Sequence, residues 1–247
     1  MARATTPFSG ITVLDFSRYL PGGYATQVLA DLGATVIKCE DTGAGDFMRH
    51  DYPTMGNGIS YYITALGRNK KSVSLNLKDQ EVVDWFLKMA KEADVIVESF
   101  RPGVTKKLGI DYETINKINP RIIYCSISGY GAEDPRSKKA QHDLNMQATS
   151  GYLSVNHGGT SPLHLCDLSS GMVAGQALLQ HCMLASRLVR VPILIPPCLT
   201  ASYGGTHCSI LVGASMAASA IVTTSSILLL LTMYMKPRTA VSWRLVW

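Results

Sequence analysis

Between Ile11 and Ile127 the chain alternates short apolar runs with stretches whose apolar residues recur at helical spacing, and few folds accept that alternation. Ile11 to Phe16 reads as a strand. Tyr24, Val28, Leu29 and Leu32 mark one helical face over 21–33, and 34–38 is a second short strand, with Gly22 and Gly23 at the turn. That is a βαβ unit. A glycine-punctuated loop spans 42–58, a strand 72–77, and an amphipathic helix 79–92 that Asp79 is placed to cap. A strand follows over 94–98, then the turn Phe100-Arg101-Pro102-Gly103. A helix over 111–118, closed by Asn119-Pro120, leads into a strand over 122–127. The expected class is α/β, a Rossmann-like open parallel sheet with flanking helices. Such sheets bind ligands beyond their strand C-termini, so the loops at Arg18, Glu40, Phe100 and Tyr130 are expected to line the site.

Composition narrows the ligand. The 247 residues are 47% hydrophobic and 17% charged, which suits a folded domain with ample core. A net charge of +5 is compatible with a polyanionic small molecule. No basic block or aromatic-interleaved basic stripe argues for nucleic acid. The cysteines at 39, 125, 166, 182, 198 and 208 form no CxxC and no metal-ligand spacing, so buried thiols and no metal are expected. Residues 1–10 lack the apolar core of a signal peptide, making the cytoplasm the expected compartment.

The chemistry concentrates between Ile122 and Gly171. The run IIYCSISGYG enters a glycine turn at Gly129 and Gly131, the pair His142-Asp143 opens a short helical pattern, and Asp167 precedes a second one near Ser169. A carboxylate at a helix start is electrostatically favoured and can act as nucleophile or proton carrier beside an acyl group. Asp167 is equally well placed to cap that helix. His157 and His164 read as loop histidines.

From about Phe8 to Gln180 the chain resembles the class III CoA-transferases, a family that also holds 2-methylacyl-CoA racemases. The resemblance implies a CoA-binding α/β domain over 8–181, truncated before a smaller domain, and an interlocked homodimer for intact members. It implies an acyl-CoA and a carboxylic acid as ligands, with the CoA thioester as substrate and no permanently bound cofactor. The turn Ser17-Arg18-Tyr19-Leu20-Pro21-Gly22 and the strand end Val36-Ile37-Lys38-Cys39-Glu40 match the elements that bracket the nucleotide, although Asp41 stands where the family's V-I-K-x-E-R-P has arginine. Arg68-Asn69-Lys70 resembles the N-x-N-K element against pantetheine and phosphates. Ser99-Phe100-Arg101-Pro102-Gly103 resembles N-[FY]-x-P-G, and Lys107 falls where a phosphate-contacting base is common. Asp167 matches the transferase nucleophile, which forms a mixed anhydride and then an aspartyl-CoA thioester. His142-Asp143-Leu144-Asn145 matches the racemase pattern, while Gln147-Ala148 continues as in transferases. The candidate catalytic residues are therefore Asp167, His142 and Asp143. CoA transfer is the first reading, racemization the second, and an inactive product that at most binds CoA the third.

The tail differs. Asp167 is the last acidic residue, and no Lys, Arg, Asp or Glu occurs over 191–235. Residues 217–235 are long and apolar enough to suggest a membrane span, but Thr223-Thr224-Ser225-Ser226 interrupts them and insertion is not the favoured reading. Read as degenerate codons from the third base, residues 234–241 permit Y-E-T-P-D-G-R, which resembles a later Y-x-T-x-D-G-R element of the family. The same shift over 183–195 permits an arginine, a G-x-G and an aspartate in family order. The expectation is a frame change near His181, with 182–247 out of frame and no domain assigned there.

Overall fold

The computed structural model describes residues 6–132, 134–187, 199–201 and 206–212. Five parallel strands alternate with helices, as the periodicity requires. β1 (Thr12–Phe16) leads to α1 (Tyr19–Asp31) and β2 (Thr35–Glu40). A 3-10 turn at Phe47–Arg49 and α2 (Tyr61–Leu66) precede β3 (Lys70–Ser74). Then come α3 (Gln80–Glu92), β4 (Val95–Glu98), α4 (Val104–Lys107), α5 (Tyr112–Ile118) and β5 (Ile123–Ile127). α6 (Asp143–Thr149), α7 (Tyr152–Val155) and the long α8 (Leu165–Arg187) follow. β6 (Leu199–Ala201) and β7 (Thr206–Val212) complete a sheet ordered β3-β2-β1-β4-β5-β7-β6. The direction of winding reverses between β1 and β4, and the crevice beyond their C-termini is the binding position of such sheets.

Alternation along the strands builds two cores. Val13, Val36, Val95, Val97 and Cys125 face one side, where Leu29 of α1 and Ala174 and Leu178 of α8 cover them. Leu14, Ile96 and Tyr124 face the other, against Phe86 of α3 and Ile115 of α5. Both faces are buried, so these strands read as continuous apolar runs. Phe86 meets Phe16 edge-on with ring centroids 4.9 Å apart. α1 and α8 approach closely because a Cβ on Gly171 would fall 2.6 Å from the Pro21 carbonyl oxygen.

Two boundaries differ from expectation. β3 begins at Lys70 rather than Ser72, since its backbone pairs with β2 from Val36↔Lys70 to Glu40↔Ser74. α8 begins at Leu165 rather than near Ser169, because an acceptor from another element caps its first turn. Asp79 caps α3 as expected, its carboxylate accepting from Glu81 N at 3.0 Å, and Asp111, read as the first helical residue, instead caps α5 by accepting from Thr114 N at 3.3 Å. Cys39, Cys125, Cys166 and Cys182 are buried thiols, and burial pushes those of Cys39 and Cys182 up to about 12.

Of the tail, β7 pairs antiparallel with β5 from Ile123↔Val212 to Ile127↔Cys208, and β6 pairs with β7. Residues 183–187 continue α8. The candidate span 217–235 and the shifted-frame elements at 188–195 and 234–241 lie outside the described residues. Among the described residues no helix is long and apolar enough to cross a membrane.

Candidate active site

The turn after β1 is held by a buried charge network. Asp15 has no exposed surface and accepts from the Ser17 hydroxyl at 2.5 Å, the Thr26 hydroxyl at 2.6 Å and Lys70 Nζ at 3.3 Å. Lys38, one strand over in register, lies 3.9 Å from Asp15 and pairs with Asp46 at 2.7 Å while donating to the Ser17 carbonyl. Burial alone would raise the Asp15 pKa, but the charges of Lys38 and Lys70 hold it below the usual carboxylate range.

Asp46 passes this order to Tyr19, whose backbone N–H it accepts at 3.2 Å. Tyr19 has φ of 60°, a left-handed conformation that a tyrosine seldom adopts. The result is a sharp strand-to-helix turn. It stacks the Tyr19 ring on Phe47 at 5.3 Å and sets it edge-on to His142 at 6.3 Å.

Asp143 performs the capping that sequence alone offered to Asp167. Its carboxylate accepts three N–H groups: Cys166 N at 2.7 Å, Asp167 N at 3.0 Å and Gln147 Nε2 at 2.5 Å. Asn145 ties the start of α6 by accepting from His142 N at 2.7 Å. The acidic member of the His-Asp-x-Asn run is thus a buried positioning group, and the side chain of Asp167 is left to face the cleft.

Two clefts meet at Asp167. A larger one of about 520 Å³ is lined by Tyr19, Leu20, Tyr62, His142, Gln147 and His164. A smaller one of about 150 Å³ runs past Arg18, Ser99, Ser128 and Gly129, and shares Tyr19, His142 and Asp167 with the first. Burial, then the neighbouring Asp143 charge, pushes the Asp167 carboxyl up to about 6, against the opposing effect of His164 and His142. A carboxylate with that pKa is ionised at neutral pH yet more basic than a solvated one. Asp143, His164 and Asp167 can bring ligand atoms within 4.8 Å of one another, but both Asp143 oxygens already accept N–H groups. The trio tunes charge.

The other sequence-selected residues divide. Arg18 N donates to Ser99 Oγ at 2.8 Å, and the guanidinium lies 5.4 Å from the Phe47 ring and 5.8 Å from Phe100 while pairing with Asp41 at 2.8 Å. Arg18, Asp41 and Phe100 line, with Leu75 and Lys78, a further crevice of about 150 Å³. Arg68 and Asn69 both bind Asp31 at the far end of α1, with Asn69 Nδ2 at 3.1 Å. None of Lys38, Arg68, Asn69, Lys70, Arg101 and Lys107 lines either cleft at Asp167. Arg101 and Lys107 are exposed. Sequence reasoning passed over Asp46, Tyr62 and Lys78. Only His164, three residues before Asp167, carried a local signal.

The model of CoA-transferase family III matches residues 8–187. The chain belongs to that family. Against the acetyl-CoA:oxalate CoA-transferase of Acetobacter aceti this family III chain is 41% identical over 174 residues, covering 67% of itself and 44% of the relative. Against the succinyl-CoA:glutarate CoA-transferase of Mus musculus it is 40% identical over 182 residues, covering 70% of itself and 41% of the relative. A CAIB/BAIF family protein from Brucella suis superposes with a TM-score of 0.68 at 31% identity, over 74% of this chain and 50% of that one. A hypothetical protein from Mycobacterium tuberculosis gives 0.67 at 34% identity, over 74% and 52%. The family III chain thus spans less than half the length of these curated relatives.

Proposed function

We propose that this chain carries the CoA-binding portion of an enzyme that moves CoA from an acyl-CoA to a free carboxylate, with Asp167 as the acyl-carrying nucleophile. The observation that carries the reading is Asp167 itself, half-buried where two clefts meet and raised to about 6. The carboxylate attacks the thioester carbonyl, the C–S bond breaks, and CoA thiolate leaves a mixed anhydride. Thiolate then attacks the aspartyl carbonyl, releasing the donor acid and leaving aspartyl-CoA thioester. The acceptor carboxylate then attacks the aspartyl carbonyl and expels CoA thiolate, and the thiolate attacks the acceptor carbonyl of the resulting anhydride, releasing the new acyl-CoA and the Asp167 carboxylate. Arg18 and Phe100 border the crevice proposed for the nucleotide end, Ser99 lines the smaller cleft at Asp167, and Tyr19 and Leu20 border the path toward the acyl cleft. Arg68, Asn69, Lys70, Lys38, Arg101 and Lys107 serve instead as frame or rim. A homodimer, as family resemblance implies, and a cytoplasmic setting belong to the same proposal.

His142 in the same cleft favours racemization as the second reading, with His142 and Asp167 on opposite faces of the α-carbon. The assay is paired. In the chain carried into the shifted frame after codon 181, labelled carboxylate entering the CoA thioester is the result expected, with little or none from the sequence as it stands, and solvent exchange of the α-proton without an acceptor would turn the assignment to racemization. Neither activity would leave the third reading, a CoA binder.

We further propose that residues 182–247 are out of frame, because their lack of acidic residues and the ordered motifs of one shift share that explanation. Sequencing the nucleotides after codon 181 is expected to show G-x-G…D and Y-x-T-x-D-G-R in the shifted frame. Their absence would sink the idea.

A further inference from the structure

The end of β4 holds a charged group that the transfer chemistry does not use. Glu98 is 4% exposed and sits between Phe16 of β1 and Ser126 of β5 in the parallel register. Its carboxylate accepts the backbone N–H of Phe100 at 2.7 Å, and the Ser126 side chain also hydrogen-bonds to it. Phe100 begins the Phe100-Arg101-Pro102-Gly103 turn, and its ring faces the Arg18 guanidinium across the crevice that Leu75 and Lys78 share. A single side chain thus grips the first amide of the loop at the switch point of the sheet.

We propose that Glu98 is a positioning residue for the CoA site, its buried carboxylate holding the Phe100 amide and thereby fixing the ring that borders the nucleotide crevice. The inference rests on the CoA reading above. Among the described residues no cation balances Glu98. From β5 it is faced by the buried Tyr124 phenol, which donates to the Ile110 carbonyl at 2.9 Å, and β1 contributes the neutral Phe16. Arg18 is engaged with Asp41, Lys106 and Lys107 of α4 are exposed, and Asp111 at the start of α5 is hydrogen-bonded to Thr114. From α3, the uncharged Phe86 packs on Phe16. Burial accordingly pushes the Glu98 carboxyl up to about 7, against the hydrogen bonds from Ser126 and Phe100. The grip is therefore charge-assisted above neutrality and neutral below it.

The test compares wild type with Glu98→Gln in the full chain, using free CoA as the probe. Glutamine keeps the acceptor and removes the charge. The ratio of wild-type to variant affinity is expected to be about fivefold near pH 8 and about one near pH 6, the titration of CoA itself cancelling in the ratio. In wild type the Phe100 amide nitrogen resonance should titrate near neutrality, and in the variant it should not. The thermal midpoint supplies a control for misfolding. Between the ordinary carboxylate range and about 7 the unfolded chain binds fewer protons at Glu98 than the folded one, so stability falls as pH rises through that window. Glu98→Gln should therefore melt above wild type near pH 8 and level with it near pH 5. CoA binding with a flat affinity ratio would overturn the proposal alone, as would a Phe100 resonance that does not move with pH. No CoA binding by wild type at either pH would overturn the CoA reading and this proposal with it.

Discussion

In the chain restored to the shifted frame, replacing Asp167 by asparagine is expected to abolish CoA exchange, by on the order of 10⁴-fold or more, while CoA affinity changes by less than about twofold. The amide is nearly isosteric, but it cannot attack a thioester carbonyl as a carboxylate does. Incubation of the restored chain with acyl-CoA should add the mass of CoA less one water to the protein, and Asp167→Asn should show no adduct. Helix capping does not confuse the outcome. The first turn of α8 is capped by Asp143, which accepts from Cys166 N and Asp167 N, so the variant keeps the helix start. Equal loss of exchange and of CoA binding would instead assign Asp167 a structural role. The pH profile adds a second check. Since the carboxyl is raised to about 6 by burial and by Asp143, exchange should climb as pH rises through about 6 and level off above.

The largest stability effect is expected at Asp15. Removing its charge as Asp15→Asn leaves the buried ammonium of Lys38 with Asp46 and takes from the buried ammonium of Lys70 the carboxylate it pairs with. Breaking a buried pair from one side costs about 3–5 kcal/mol, a large part of the roughly 5–15 kcal/mol that holds a domain together. The urea midpoint should fall accordingly, and replacing Lys70 by methionine in the same chain should restore part of it. The pH sign is fixed by the depressed Asp15 pKa. Its contribution is present above the ordinary carboxylate range and is lost as pH falls through the lower folded value. An unchanged urea midpoint would show that the network contributes nothing net.

The two results concern different parts of one device. Asp15 and Lys38 hold Asp46, Asp46 holds the left-handed Tyr19, and Tyr19 borders both clefts that meet at Asp167. Weakening Asp15 is therefore expected to reach the site through the β1–α1 turn as well as through global stability.

Much of this was legible from residues alone. The apolar runs at Val13, Val36, Val95 and Ile123 announce strands buried on both faces, and the helices between them require parallel pairing. Asp79 caps as expected, since a cap depends on neighbours two or three residues away. Asp167 likewise stood out by its place before a helical run. Long-range partners did not show. Lys38 and Lys70 look like ligand-binding bases in a linear chain, yet parallel register turns both onto Asp15. Arg68 and Asn69 look like phosphate contacts, yet the fold brings Asp31 to them from the end of α1. Asp167 read as a cap as well as a nucleophile, and only the approach of α6 to α8 gave the capping to Asp143 and left Asp167 to the cleft. Sequence determined which segments are strands and helices because hydrophobic period and capping are local. The tertiary structure decided which charges are buried together, because a buried ion's partner is chosen by distance in space and not along the chain.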